Sequence, residues 1–357
     1  MKKYKIFKFW KNKKVLILGH TGFKGSWLTI LLHHLGAKVY GYSLKPEKNN
    51  FIFKKLRLNN LLKINCFGDI NSDKLKIFIK NIKPELVINL AAQPLVRKSY
   101  IKPIETYKTN LIGSIKILYA CRNISSIKSI LMITTDKVYK NKGKNLPYKE
   151  TDELGGFDPY SSSKAASEIA INSFQESYFS KKNQAFIATA RAGNIIGGGD
   201  WSADRLLPDI IKSYYNKKEL IIRFPNAIRP WQHVLEPLYG YLILCENLYK
   251  KKPNTIGSWN FGPDNKKILT VRELIKEINL YKDLKIKLAI DKKNVFYENK
   301  ILKLNNSKAK NKLNWRPILS SKEMISLTID WYLAMKSSTE NLYSLTIKQI
   351  NHFISKI

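Results

Sequence analysis

KVLILGHTGFKGSWLTILLHHLG, residues 14–36, contains a short apolar run, a glycine-spaced turn and then apolar residues at helical spacing through Leu35. This is strand, turn, helix. Gly19, Gly22 and Gly25 stand three apart, unlike G-x-G-x-x-G, but they serve the same physics. They permit a tight turn, close approach of backbone to a pyrophosphate and close strand–helix packing, with the phosphate at the helix N-terminus. Three glycines in a loop are ordinarily turn chemistry alone; placed after an apolar strand and opening a helix, they point to a dinucleotide.

Outward from this unit, the same alternation continues. KVYGYSL (38–44) reads as a second strand, ending where a dinucleotide's adenosine ribose lies. Tyr42, Ser43, Leu44 and Lys45 offer a hydroxyl and a cation there but no acid, which leaves NAD and NADP both open. A helix is expected at 51–61. INCFGDI follows, with Asp69 placed either to accept from an adenine amino group or to serve as a strand-end turn residue. PELVINLAAQPLV (84–96) reads as a buried strand whose small Ala91 and Ala92 let a ligand come near the backbone. A helix from about Pro103 to Cys121 carries Asn110, and SILMITTDKVY delivers Thr134, Thr135, Asp136 and Lys137 at a strand's C-terminal end, where ligands collect in open α/β sheets. QAFIATAR (184–191) is a further strand.

These strands and helices predict a doubly wound, mainly parallel sheet. Beyond it, short strands (219–224, 285–290) alternate with helices around 205–216, 236–250, 270–279 and 322–336, read as a smaller α+β lobe closing over the strand ends. The expected division is a tail at 1–13, a sheet domain at 14–191, a lobe at 192–338 from which some segments return to the sheet, and an extension at 339–357. That last segment reads either as a peripheral helix or as a partner contact.

DPYSSSKAASE (158–168) follows the loop 142–157 and carries the chemistry. Asp158 caps a helix and Pro159 suits its first position. Tyr160 and Lys164, four apart, share a helical face. An ammonium near a phenol stabilises the phenolate; moving its pKa from about 10 to about 7 corresponds to roughly 4 kcal/mol. A tyrosine so tuned exchanges protons with an alcohol at neutral pH.

At 357 residues the chain builds its core without disulfides. Its cysteines, Cys66, Cys121 and Cys245, form neither a disulfide framework nor a zinc pattern, and no metal site is expected. A reducing cytoplasm fits. Lysines interrupt the apolar residues of MKKYKIFKFWKNKK, against a signal peptide, and no apolar stretch approaches membrane-spanning length. The chain has 63 Lys+Arg against 27 Asp+Glu, a net +36. Lysines occur in every segment and no nucleic-acid-binding motif is present, so neither nucleic acid nor membrane is expected as a partner. Part of the charge is a field for an anionic small substrate.

The glycine turn, Asp69, the alanine pair, the strand-end Thr135 and Tyr160-x-x-x-Lys164 occur together in one order. This pattern resembles the extended short-chain dehydrogenase/reductase family, from about Lys14 to Tyr332. The resemblance implies a Rossmann-type α/β fold with a nucleotide-sugar-binding lobe, NAD as cofactor, and a homodimer or dimer of dimers. GHTGFKGSWL, LAAQPLVRKSY, ARAGNIIGGGDW, RPWQHVLEPLYGY and SWNFGP resemble the branch that dehydrates CDP-glucose to a 4-keto-6-deoxy sugar. That branch implies Tyr160 as the base for the C4 hydroxyl, Lys164 tuning it and holding the nicotinamide ribose, and Thr135 bonded to the same hydroxyl. Asp136 becomes the acid for the C6 oxygen and Lys137 the group serving C5; related dTDP-sugar dehydratases carry Asp-Glu here, so the lysine is a departure. The cofactor set implied is Gly19, Thr21, Gly22, Phe23, Lys24, Gly25, Asp69, Ile70, Leu90, Ala91, Ala92 and Asn110, with Tyr160 and Lys164. Gln93, Asn194, Arg205 and Arg229 are the substrate candidates, the arginines because guanidinium matches phosphate bidentately. His233 reads as structural, and Trp201 and Trp231 as packing.

Overall fold

The computed structural model describes residues 8–46, 51–143, 146–181, 184–264, 268–290, 301–336 and 341–357. Expectations for 1–7, 144–145 and 339–340 lie outside them. The strands are β1 (Lys14–Leu18), β2 (Lys38–Ser43), β3 (Ile64–Phe67), β4 (Leu86–Asn89), β5 (Ser129–Ile133), β6 (Phe186–Arg191), β7 (Ile195–Ile196), β8 (Leu220–Ile222), β9 (Gln232–His233), β10 (Gly257–Asn260) and β11 (Leu288–Ile290). The helices are α1 (Phe23–His34), α2 (Phe51–Lys55), α3 (Lys74–Ile82), α4 (Val96–Ile101), α5 (Pro103–Tyr107), α6 (Gly113–Cys121), α7 (Pro159–Tyr178), α8 (Leu206–Asn216), α9 (Leu235–Tyr249), α10 (Val271–Lys282), α11 (Ser307–Leu313), α12 (Ser321–Ala334) and α13 (Leu342–Lys356).

Seven strands form one sheet in the order β10-β6-β5-β4-β1-β2-β3, every pairing parallel. The alternation within β1 shows why both faces are covered. Val15 and Ile17 enter a core shared with α1, α9 and α12, while Leu16 and Leu18 enter the opposite core with residues of α3, α6 and α7. A strand apolar at every position after Lys14 satisfies both layers, as a doubly wound sheet requires. The lobe adds two small parallel pairs, β7 with β9 and β8 with β11.

The chain order and the spatial order part company at residue 192. β10 extends the large sheet beside β6, and α9 packs on β5 and β6, so residues 235–260 return to the sheet layer. In the tail, Trp10 is buried against the sheet core. The C-terminal segment is a helix docked on its own chain: Ile350 and Phe353 are buried, and Trp331 Nε1 donates to Thr346 Oγ1 at 2.9 Å. α10 and α12 both open with capping boxes, Thr270 with Glu273 and Ser320 with Glu323, each satisfying backbone donors reciprocally.

Two expected elements are shorter than read. The helix expected at 51–61 stops at Lys55 and resumes as a 3-10 turn, Leu58–Leu61, because Arg57 takes a left-handed φ of 50°. The strand expected over 84–96 ends at Asn89, whose Oδ1 accepts from Ala91 N at 3.0 Å and turns the chain outward.

Candidate active site

The C-terminal ends of β5 and β6 and the lobe enclose a cavity of about 460 Å³. Four groups of residues meet in it: Phe23 and Lys24 from the glycine turn, Thr134–Lys137 after β5 with Tyr160, Ala192–Gly197 after β6, and Arg205, Phe224, Arg229 and Trp231 from the lobe.

The glycine turn is built for close approach. Gly19 has φ of +82°, and a Cβ there would lie 2.7 Å from Ala91 N; a Cβ on Gly25 would overlap the Gly19 carbonyl oxygen. α1 begins after Gly22 with no side-chain cap and no acid in its first turn. Its uncapped N–H donors and positive end fit a diphosphate. At the end of β2 the Thr21 and Ser43 hydroxyls hydrogen-bond at 2.8 Å. Asp69 is exposed, and its Oδ1 accepts from Asn71 N at 2.8 Å; Ile70 beside it is buried. The ends of β1, β3 and β4 thus bring Gly19, Asp69, Leu90, Ala91 and Ala92 to one edge.

Helix α7 starts as its sequence dictates. Asp158 Oδ1 accepts from Ser161 N at 2.9 Å, and Tyr160 and Lys164 follow on one buried face. Tyr160 lines the cavity with its phenol hydrogen-bonded to the Thr135 hydroxyl. Lys164 Nζ donates to the Ile133 carbonyl oxygen at 3.2 Å. This corrects the expected electrostatics. Burial pushes the Tyr160 phenol above its ordinary value, opposed by the Thr135 hydrogen bond and the Arg205 charge. The lysine itself is pulled down to about 8 by burial, against the Glu168 carboxylate.

Thr135 caps the 3-10 turn Asp136–Val138 and donates to Asp136 Oδ1 at 3.1 Å. Asp136 is buried in the cavity wall, and its Oδ2 has no hydrogen-bond partner among the described residues. Lys137 is half-buried and lies between this cavity and a shallower one lined by Tyr139, Glu153 and Phe157.

Lys24, expected in the cofactor set, lines the cavity. Burial, with Lys164 and Arg205 nearby, brings its pKa down to about 7, opposed by Asp136 and Asp200. Sequence reasoning missed Arg97 and Arg223, which bracket Asp204 at the mouth at 3.0 and 4.0 Å. The signal available was an arginine within LAAQPLVRKSY and another directly after β8.

The substrate candidates separate. Asn194, with a left-handed φ of 42°, Arg205 and Arg229 line the cavity. Arg205 Nη2 donates to the Pro94 carbonyl oxygen at 3.3 Å. Gln93 does not line it. Its Oε1 accepts from Leu95 N at 2.7 Å and its Nε2 donates to Thr106 Oγ1 at 2.9 Å, so its amide organises the loop behind the wall. Asn110, in a π turn at Lys108–Ile112, accepts from Gln93 N and donates to Ser163 Oγ, both at 2.9 Å. It too is buried support. His233 is fully buried edge-on to Trp27, Trp231 lines the cavity, and Trp201 packs on Tyr332. Among the described residues no cluster of three metal-binding side chains occurs.

A dinucleotide turn and a buried Tyr160–Lys164 helix, meeting at the strand ends of a doubly wound sheet, define the extended short-chain dehydrogenase/reductase class. The chain belongs to the family described as GDP-mannose 4,6 dehydratase, whose pattern matches residues 16–328. It is 40% identical over 353 residues to a CDP-glucose 4,6-dehydratase of Salmonella typhimurium, covering 97% of this chain and 98% of that one. It is 26% identical to a human dTDP-D-glucose 4,6-dehydratase, over 90% of each chain. Among solved structures, an epimerase from Methanothermobacter thermautotrophicus superposes with a TM-score of 0.80 at 20% identity over 97% of both chains. A UDP-glucuronic acid 4-epimerase from Bacillus cereus, in complex with UDP-glucuronic acid and NAD, does so at 0.78 with 22% identity, over 90% of this chain and 99% of its own.

Proposed function

We propose that the chain is a CDP-D-glucose 4,6-dehydratase, converting CDP-D-glucose to CDP-4-keto-6-deoxy-D-glucose and water. The observation that carries this reading is Asp136, buried with an unpartnered carboxylate oxygen beside Thr135 and Tyr160 in one cavity. An alcohol oxidation alone needs the tyrosine; a further acid next to it suits loss of water.

Gly19, Gly22 and Gly25 at the uncapped start of α1 would hold NAD, which would supply the hydride acceptor for C4 and donor for C6, so that no net redox results. The chain's residues do the rest. The Tyr160 phenolate takes the proton of the C4 hydroxyl, with Thr135 orienting that hydroxyl and the Lys164 charge stabilising the phenolate once ligands fill the site. The C4 ketone acidifies the proton at C5, which Lys137 removes as a neutral amine. Asp136 protonates the C6 oxygen so that it leaves as water. As the hydride reaches C6, Lys137 returns its proton to C5; C4 stays a ketone, and the proton left on Tyr160 passes through solvent to Asp136, which restores all three groups. Asn194, Arg205 and Arg229 hold the diphosphate.

Such a product serves deoxysugar synthesis for surface polysaccharide of the O-antigen and lipopolysaccharide kind, and we place the enzyme in the cytoplasm as a homodimer or dimer of dimers. Among the described residues no helix is long and apolar enough to cross a membrane. Helices α4–α7 lie side by side and expose Ile101, Ile104, Tyr119 and Ile169, a surface suited to a second copy.

The test is incubation with CDP-, dTDP- and GDP-glucose, and with GDP-mannose, in the presence of NAD. A 4-keto-6-deoxy product from CDP-glucose is expected; turnover of GDP-mannose alone would sink the substrate assignment, and epimerisation without water loss would make the chain a 4-epimerase.

A further inference from the structure

One turn beyond Lys164 on α7, Glu168 makes a buried ion pair with Arg191 of β6, at 3.0 Å, with the two side chains 3% and 2% exposed. Both carboxylate oxygens are saturated. Oε1 accepts from Thr134 Oγ1 at 2.5 Å and from Arg191 Nε at 3.0 Å; Oε2 accepts from Thr189 Oγ1 at 2.6 Å and from Arg191 Nη2 at 3.1 Å. Arg191 extends the network to Tyr139 and Ser258 at 2.8 and 2.9 Å.

These partners occupy the backs of the reacting groups. Thr134 lies between Ile133, whose carbonyl receives the Lys164 ammonium, and Thr135, which is bonded to Tyr160. A single carboxylate therefore ties the end of β5, the end of β6 and the catalytic helix together without reaching the cavity.

We propose that Glu168, clamped by Arg191, is a positioning residue of the reaction: it fixes the Thr135–Lys137 turn against Tyr160 through Thr134 and holds the Lys164 ammonium in place. The proposal rests on the dehydratase reading for its kinetic arm. A buried carboxylate that accepts five hydrogen bonds, the fifth from Ser258 Oγ at 3.3 Å, has one geometry, which is what orientation of a catalytic turn needs. The energetics agree in direction, since the Glu168 charge raises the Lys164 pKa against the burial that lowers it. Lys24, at the start of α1, is the other charge coupled to that ammonium; Asp136 and Lys137 stand on the turn after β5 and Arg191 pairs with Glu168. The buried polar residues that α4–α6 and the π turn between them contribute, Ser99, Thr106, Asn110 and Ser114, are neutral.

The test compares the parent chain with Glu168→Gln and Thr134→Val. In Glu168→Gln we expect kcat to fall roughly 10²-fold with KM unchanged, as for a displaced catalytic turn. The alkaline limb of its pH profile is to move to lower pH, because loss of the negative charge lets Lys164 give up its proton sooner. The same shift is to appear in NMR titration of isotope-labelled lysine Cε resonances, with the Lys164 signal assigned by its absence in Lys164→Met. Thr134→Val, which keeps the ion pair, is to lose kcat, and Thr134→Ser to restore it. A folded Glu168→Gln with the parent's kcat and the parent's Lys164 midpoint overturns the proposal. If Glu168→Gln does not fold, Thr134→Val with the parent's kcat overturns it. Should the parent turn over no nucleotide sugar, the dehydratase reading falls and the lysine titration decides the positioning role alone.

Discussion

Gly193 packs directly against Asp136: a Cβ on residue 193 would overlap Asp136 Oδ2. The absent side chain is what gives the carboxylate its place. Gly193→Ala is expected to push that carboxylate aside, lowering kcat by roughly 10²-fold, with overpacking destabilising the chain by about 1–3 kcal/mol. Dinucleotide affinity, measured by calorimetry, should hold, because the glycine turn lies elsewhere.

Asp136→Asn and Lys137→Ala should both permit oxidation at C4 yet slow the loss of water, each by about 10²-fold or more, the usual worth of a general acid or base. The reading is stopped-flow absorbance of reduced nicotinamide, which is expected to build up with CDP-glucose in both variants and not in the parent. Full elimination by Asp136→Asn beside an inactive Lys137→Ala would reassign the acid.

Lys164→Met is expected to abolish turnover and to stabilise the fold at pH 7 by about 1–3 kcal/mol. The sign follows from burial, which brings the lysine to about 8 from the usual 10.5. Charging it in the folded chain is unfavourable at all pH below about 8, and that cost fades as pH rises toward 10.5. Urea denaturation at pH 7 and pH 10 should therefore show a gain that shrinks with pH.

Glu236→Gln makes the complementary case for a carboxyl. Burial brings Glu236 up to about 7 from 4.5, opposed by the Leu319 and Ile318 amides, and its Oε2 lacks a partner among the described residues. A raised carboxyl contributes stability below pH 4.5 and loses it through pH 7. The neutral amide should match the parent at pH 4.5 and exceed it at pH 8 by about 1–2 kcal/mol, read from melting temperatures across that range.

The sheet was legible because its causes are local. A four-residue apolar run, glycines three apart and an Asp158-Pro159 start each dictate geometry within a few residues, and β1, α1 and α7 form where those signals stand. The signals failed where one residue's backbone broke a pattern, as Arg57 does in the helix expected at 51–61. They failed again at Gln93, since nothing in LAAQPLV says whether an amide faces a cavity or holds the loop behind it.

By itself the sequence determined the alternation of strands and helices, the glycine turn that opens α1 and the four-residue spacing of Tyr160 and Lys164, all set by neighbours along the chain. Only the tertiary structure decided where the charges act. Lys164 turns to the Ile133 carbonyl, Lys24 enters the cavity, and Glu168 finds Arg191, 23 residues onward, across the sheet. Desolvation and Coulomb energy depend on burial and distance in space, and neither is a function of separation along the chain.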